Sequence, residues 1–308
     1  MSALPDGSPG RRPRPSPDGR GPGAAETDPD GGKPKAGRNL PVAIGAGLGM
    51  AAVVLASLLI QPIAFLGVAA VAVAVACWET GTAMRKGGKN VPVIPLAAAG
   101  TLIVVLAWFG GATGLLLGTA VGVAALFVWR LSEGATGYRT DISAAALLLV
   151  QVPFLAGFIM LLATSENDSA RLIDGAAAQV IIALFTVVCS DTGGYTAGVL
   201  IGRHQMTPRI SPKKSWEGLG GSIVLAAVGG SVTLWAFFGV PFLLGVAFGV
   251  CVALAATLGD LSVSLLKRDL GIKDMSNLIP GHGGVMDRLD SILMVAPVAY
   301  VWFRYLLG

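Results

Sequence analysis

Between Thr257 and Asp290 the chain reads TLGDLSVSLLKRDLGIKDMSNLIPGHGGVMDRLD, a concentration of ionisable residues in an otherwise apolar sequence. It supplies the carboxylates Asp260, Asp269, Asp274, Asp287 and Asp290 and the cations Lys267, Arg268, Lys273 and Arg288. His282 stands among the glycines Gly281, Gly283 and Gly284. Carboxylates are hard oxygen ligands for a divalent ion, clustered cations neutralise phosphate oxygens, and glycines let a backbone approach an anion closely. The chemistry these parts suit is phosphoryl or nucleotidyl transfer, in which a protein mainly positions charge and neutralises it. His282 has the chemistry to ligate a metal, to donate to a phosphate or to fix the turn, and the His-Gly-Gly triplet falls far short of a P-loop. Asp269 and Asp274 face cationic neighbours in sequence, which fits solvated loop charges as well as a functional role.

Spacing turns this list into an arrangement. Asp260, Ser264, Lys267 and Arg268 fall at i, i+4, i+7 and i+8, one face of a helix, and Asp287 and Asp290 are i, i+3 neighbours. Upstream, Cys189-Ser-Asp-Thr-Gly-Gly-Tyr195 interrupts a further apolar run. At ~1.5 Å per residue, Asp191 lies roughly 24 Å from a helix start near Gly175, and Asp260 roughly 28 Å from one near Pro241. Both distances reach the inner edge of a hydrocarbon layer ~30 Å thick. Three separated helices therefore deliver carboxylates to one membrane depth. Such carboxylates are costly and usually functional, the alternative for Asp191 being a polar residue satisfied by packing. Gly194, Gly198 and Gly202 form a small-residue stripe suited to close helix contact. In the segment Arg203–Gly218, Pro208 and Pro212 forbid a regular helix. Ser211, Lys213, Lys214 and Ser215 suit phosphate oxygens, although an ordinary cytoplasmic loop has a similar composition.

The elements that must position these residues are membrane helices. Of 308 residues 54% are apolar and only 13% charged, with a mean hydropathy of +0.72, outside the range of soluble domains. The fold class is an all-α polytopic membrane protein. Apolar runs at about 40–60, 62–79, 92–110, 112–131, 143–164, 175–202, 219–238, 241–268 and 287–307 predict nine spans, with tight hairpins near Gln61, Gly110 and Gly239. Lys and Arg concentrate in alternate connections, which places the N-terminus in the cytoplasm and the C-terminus outside. Residues 1–38 are rich in Pro and Gly, contain no aromatic residue and predict a disordered cytoplasmic tail rather than a cleavable signal peptide. Spans within 39–174 form an N-terminal group, and 175–308 carries the ionisable cluster. The net charge of +4 is modest and argues against a nucleic-acid partner. Cys77, Cys189 and Cys251 lie in apolar runs without metal spacing and read as small buried hydrophobes.

Ser264, Lys267, Arg268, Lys273, Asp274, Pro280, His282, Gly283, Gly284, Asp287, Arg288, Leu289 and Asp290 together resemble the C-terminal signature of the phosphatidate cytidylyltransferases, or CDP-diacylglycerol synthases. Asp191-Thr-Gly-Gly-Tyr195 and Ser211-Pro-Lys-Lys-Ser-Trp-Glu-Gly218 are similar to two further hallmarks, so the resemblance is strong over about 175–290. It implies an enzyme of the cell membrane, with its site on the cytoplasmic face, in which phosphatidate attacks the α-phosphorus of CTP and pyrophosphate leaves. It implies Mg²⁺ held by Asp260 and Asp287, with Asp290 and Asp191 completing the site, and leaves room for a second, monovalent cation. Lys213, Lys214, Lys267, Arg268 and Arg288 would neutralise phosphates, and Ser211, Ser264, Lys273, Asp274, His282, Gly283 and Gly284 would contact substrate. Two positions depart from the pattern: Val263 stands where relatives often carry Glu, and Ser215 where Thr is commoner. The first removes a carboxylate beside the metal shell, and the second keeps the hydroxyl. Competing readings are another lipid head-group enzyme, such as a polyprenol or dolichol kinase, and an ion-coupled transporter. The transporter reading predicts midplane charges and internal symmetry that the sequence lacks. Partners beyond substrates and bilayer are left open, a homodimer among them.

Overall fold

Long apolar segments with almost no backbone partners outside themselves have one way to satisfy their N–H and C=O groups in lipid, which is to coil into helices. The computed structural model describes residues 40–166, 170–276, 278–279 and 283–306, the side chains of 40–44 excepted; the tail expected over 1–38 lies outside them. The helices are α1 (Leu40–Ile60), α2 (Pro62–Lys86), α3 (Val93–Ser132), α4 (Tyr138–Leu149), α5 (Leu155–Ala163), α6 (Gly175–Ile201), α7 (Trp216–Phe238), α8 (Phe242–Asp269) and α9 (Met286–Val301). A π-helical turn, Val150–Phe154, joins α4 to α5 around Pro153, whose missing N–H the wider turn accommodates. Seven helical stretches among the described residues are long and apolar enough to cross a membrane.

The longest of these, α3, is broken at Gly111, where φ is +58° and ψ −145°. Its two limbs fold back on each other. A Cβ on Gly114 would strike the carbonyl oxygen of Leu106, one on Gly118 would lie 3.1 Å from the Ile103 Cα, and one on Gly122 would lie 3.4 Å from the Ala99 Cβ. Glycines at four-residue spacing thus make the seam of an antiparallel hairpin, at the turn that the sequence predicts near Gly110.

The segment between α6 and α7 is more regular than its two prolines suggest. Strands β1 (Gln205–Thr207) and β2 (Ser211–Ser215) form an antiparallel hairpin, with Gln205 opposite Ser215 and Thr207 opposite Ser211. Pro212 is tolerated because a two-stranded ribbon is all edge. Ser215 then caps α7, its hydroxyl accepting from the Gly218 N–H at 3.1 Å.

Connections that the charge pattern assigns to one side of the membrane meet at one end of the bundle. Lys89 pairs with Asp269 at 3.1 Å, and the Asn90 amide donates to Glu133 at 3.1 Å. Deeper in, Arg130 and Asp141 form a buried ion pair through Nη2 and Nε at 2.7 and 3.1 Å. Arg130 also donates to the Thr136 carbonyl at 2.7 Å, and the Asn90 N–H donates to Asp141 at 2.8 Å. One guanidinium and one carboxylate thereby lock α3, α4 and the connection after α2. Breaking such a pair leaves a buried charge uncompensated, at a cost of about 3–5 kcal/mol. Asp141→Ala is therefore expected to lower thermal stability markedly, and Arg130→Met with Asp141→Leu less so; equal stability of Asp141→Ala and wild type in a melting experiment would remove this lock from the account.

Candidate active site

Three helices and the hairpin bring the ionisable residues together, and small residues set how near they come. Gly193 of α6 lies on the Gly221 carbonyl of α7, Gly249 of α8 on Ala226 of α7, and Gly259 of α8 on the Asp290 carbonyl of α9; a Cβ at any of these would collide. The predicted stripe behaves as packing, Gly194 facing Ser222 and Gly202 facing Ser215. The Ser222 hydroxyl ties the same seam by donating to the Ser190 carbonyl at 2.8 Å.

Above this seam is a cavity of about 410 Å³. Its carboxylates are Asp191 from α6, Asp260 from α8, Asp287 and Asp290 from α9, and Asp274 from the connection. Its cations are Lys213 and Lys214 from β2, Lys267 from α8 and Arg288 from α9. Ser215 lines it as expected, and Tyr195, Thr257 and Ser291 add hydroxyls that the sequence reading gave no role. Residue counting brings carboxylates of three helices together, and the structure sets them around one cavity.

Two ion pairs organise the charge. Lys214 Nζ lies 2.6 Å from Asp260 Oδ2, and Asp260 Oδ1 accepts from Ser264 Oγ at 3.1 Å. Lys267 Nζ donates to Asp287 Oδ1 at 2.9 Å, and Asp287 Oδ2 accepts from the Met275 and Gly284 N–H groups at 3.0 and 2.9 Å. Asp287 thus spends both oxygens on protein donors and holds the connection before α9 in place. Gly283, with φ +81°, sits where a side chain would crowd that carboxylate.

No three His, Cys, Asp or Glu side chains converge at ligand distance among the described residues. Asp191, Asp260 and Asp290 nevertheless share one cavity, and Asp260 already holds a cation, the Lys214 ammonium. An all-oxygen donor set of this kind fits a hard ion such as Mg²⁺ whose remaining ligands are water and phosphate oxygens.

Other predicted residues sit at the edge of this cavity or away from it. Arg268 donates to the Ile210 and Ile272 carbonyls at 3.1 and 3.4 Å, which fastens the hairpin turn to the end of α8. Ser211 begins β2 and is absent from the cavity wall. Lys273 lines a second cavity of about 480 Å³ with Trp78, Glu79 and Lys86, and Asp274 borders both. Val263 is buried, in keeping with its apolar side chain. His282 lies outside the described residues, as do Pro280 and Gly281.

Glu79 is the residue that sequence reasoning missed. It is 1% exposed, and it accepts from Ser276 Oγ at 2.5 Å, from Val285 N at 3.1 Å and from Met286 N at 2.9 Å. A span ending at residue 79 makes this glutamate an interfacial end group. The helix runs on to Lys86, which sets Glu79 roughly two turns inside. The signal was a carboxylate in an apolar run, the same one that singled out Asp191.

Residues 42–306 match the Cytidylyltransferase family. A phosphatidate cytidylyltransferase from Mycobacterium bovis is 41% identical over 280 residues, spanning 87% of this chain and 89% of that protein. One from Mycobacterium leprae is 39% identical over 289 residues, spanning 89% and 90%. One from Helicobacter pylori is 44% identical over 123 residues, 40% of this chain and 46% of that protein. With most of its length matched to the family and to relatives of nearly equal extent, the chain is a member of the cytidylyltransferase family.

Proposed function

We propose that the protein transfers CMP from CTP to phosphatidate, forming CDP-diacylglycerol and pyrophosphate for phospholipid synthesis. The observation that carries this reading is the shared cavity, in which carboxylates from α6, α8 and α9 face lysines of β2 and α8. An oxygen of the phosphatidate phosphate forms the new bond to the α-phosphorus of CTP, and the bond from that phosphorus to the bridging oxygen of the β-phosphate breaks. The nucleophile is already an anion, so no side chain has to remove a proton. Lys213, Lys214 and Arg288 are placed to neutralise phosphate charge that builds on the leaving pyrophosphate. Lys267, fixed by Asp287, sets a positive charge beside Asp260 on the same helix face. Arg268 acts indirectly, by holding the hairpin that presents Lys213 and Lys214. Asp191, Asp260 and Asp290 would hold Mg²⁺, with Asp287 orienting the connection beside them; the ion supplies charge neutralisation and alignment of the triphosphate.

The reading includes nine crossings, a cytoplasmic N-terminus and a site facing the cytoplasm of the cell membrane. The fold-back of α3 and the contacts among the basic connections support it.

Purified protein with CTP, phosphatidate and Mg²⁺ is expected to yield CDP-diacylglycerol, to stop on chelation and to recover on adding Mg²⁺. Product from a polyprenol and a nucleotide, with none from phosphatidate, would replace this reading with that of a lipid kinase. Within the same assay Asp260→Asn and Lys214→Ala should each lower kcat by on the order of 10²-fold, the usual loss for one electrostatic stabiliser of a transition state. Activity retained by both variants would detach the cavity from the chemistry. A cysteine placed at Lys213 should react with a membrane-impermeant reagent only from the cytoplasmic side; labelling of intact cells from outside would reverse the topology.

A further inference from the structure

We propose that Glu79 is a positioning residue of the transfer site: from the N-terminal group of helices it sets the angle and register of the first turn of α9, and with them Asp287, Arg288 and Asp290. The inference rests on reading the cavity as the site of CMP transfer.

Glu79 is a buried carboxylate with no Lys or Arg partner among the described residues. Isolated charge at such a position is costly unless donors surround it. Among the described residues its donors come from a single stretch, Ser276 Oγ on one side and the Val285 and Met286 N–H groups on the other. Those two N–H groups open α9, whose own preceding residue, Val285, supplies no side-chain cap. A carboxylate there also meets the positive end of the helix dipole. Glu79 therefore performs, from far away in sequence, the capping that Ser215 performs locally for α7.

The seat is shaped for it. A Cβ on Gly284 would lie 2.7 Å from Glu79 Oε2, so a side chain there would make the carboxylate shift from its seat on the amides. Gly284 in turn donates its N–H to Asp287 Oδ2, and Met286, held by Glu79, directly precedes Asp287. Rotation of this turn would swing Asp287 away from Lys267 and move Asp290 relative to Asp260. A cap serving only stability would show in melting temperature. A positioning residue also governs kcat in protein that remains folded.

The test uses the full chain in detergent or nanodiscs as wild type, Glu79→Gln, Gly284→Ala and the double variant. It combines steady-state kinetics with CTP and phosphatidate, melting temperature, and hydrogen exchange of the peptide spanning residues 283–288. Gln keeps the volume but offers one acceptor oxygen and adds an N–H₂ among donors. Glu79→Gln is expected to lower kcat by about 10–100-fold, the range for residues that orient a metal site, with the CTP KM changed by less than about threefold. Exchange at Val285 and Met286 should accelerate. Gly284→Ala should reproduce both effects, and the double variant should be no worse than the poorer single one, because both break the same contact. A kcat within about twofold of wild type, a loss accounted for by the unfolded fraction, or unchanged exchange would each overturn the proposal. Should wild type itself make no CDP-diacylglycerol, the reading of the function fails, and the exchange measurement still decides whether Glu79 holds the turn.

Discussion

Charge placed where water is scarce must be matched, and several carboxylates of this bundle are matched in this way. Lys214 answers Asp260, Lys267 answers Asp287, Arg130 answers Asp141, and three donors surround Glu79. In a medium of low effective dielectric each unmatched group would cost several kcal/mol. The pairs therefore do structural and chemical work together. On the proposed reading, Lys214 and Lys267 would exchange carboxylate for phosphate oxygens when a triphosphate enters, and a divalent ion would offset part of the negative charge it brings.

Helix–helix approach makes that matching possible. Lipid offers little hydrophobic drive for helices to associate, so close contact depends on backbone meeting backbone. Gly193 against Gly221, Gly249 against Ala226 and Gly259 against the Asp290 carbonyl bring α6, α7, α8 and α9 near enough for side chains as short as aspartate to share a cavity. Larger residues at these seams would push the carboxylates apart before altering any of them.

Much of this was legible in the sequence because the physics that wrote it is one-dimensional. Hydropathy marks helices, rise per residue marks depth, and a spacing of three or four marks a face, so Asp191, Asp260 and Asp290 were placed together from counting alone. The hairpin at Gly111 followed from a short uncharged break between two apolar runs. What depends on contacts between distant segments was less accessible. Glu79 reads as a helix end on a span of 62–79, whereas the helix continues seven residues further to Lys86, and nothing local announces that its acceptors face α9. Arg268 reads as a phosphate neutraliser by type, and sequence does not show that its Nε and Nη1 donate to two backbone carbonyls. The segment with Pro208 and Pro212 was read as non-helical without its strand pairing, which arises from cross-strand partners rather than from propensity.

The central claim is that bond exchange occurs at the α-phosphorus of CTP within the carboxylate and lysine cavity. Parallel reactions with CTP labelled at the α- or the γ-phosphate, each with phosphatidate and purified protein, test it most directly. The account predicts α-label in the lipid product and γ-label in released pyrophosphate, in equal amounts. Transfer of γ-label to lipid would contradict it.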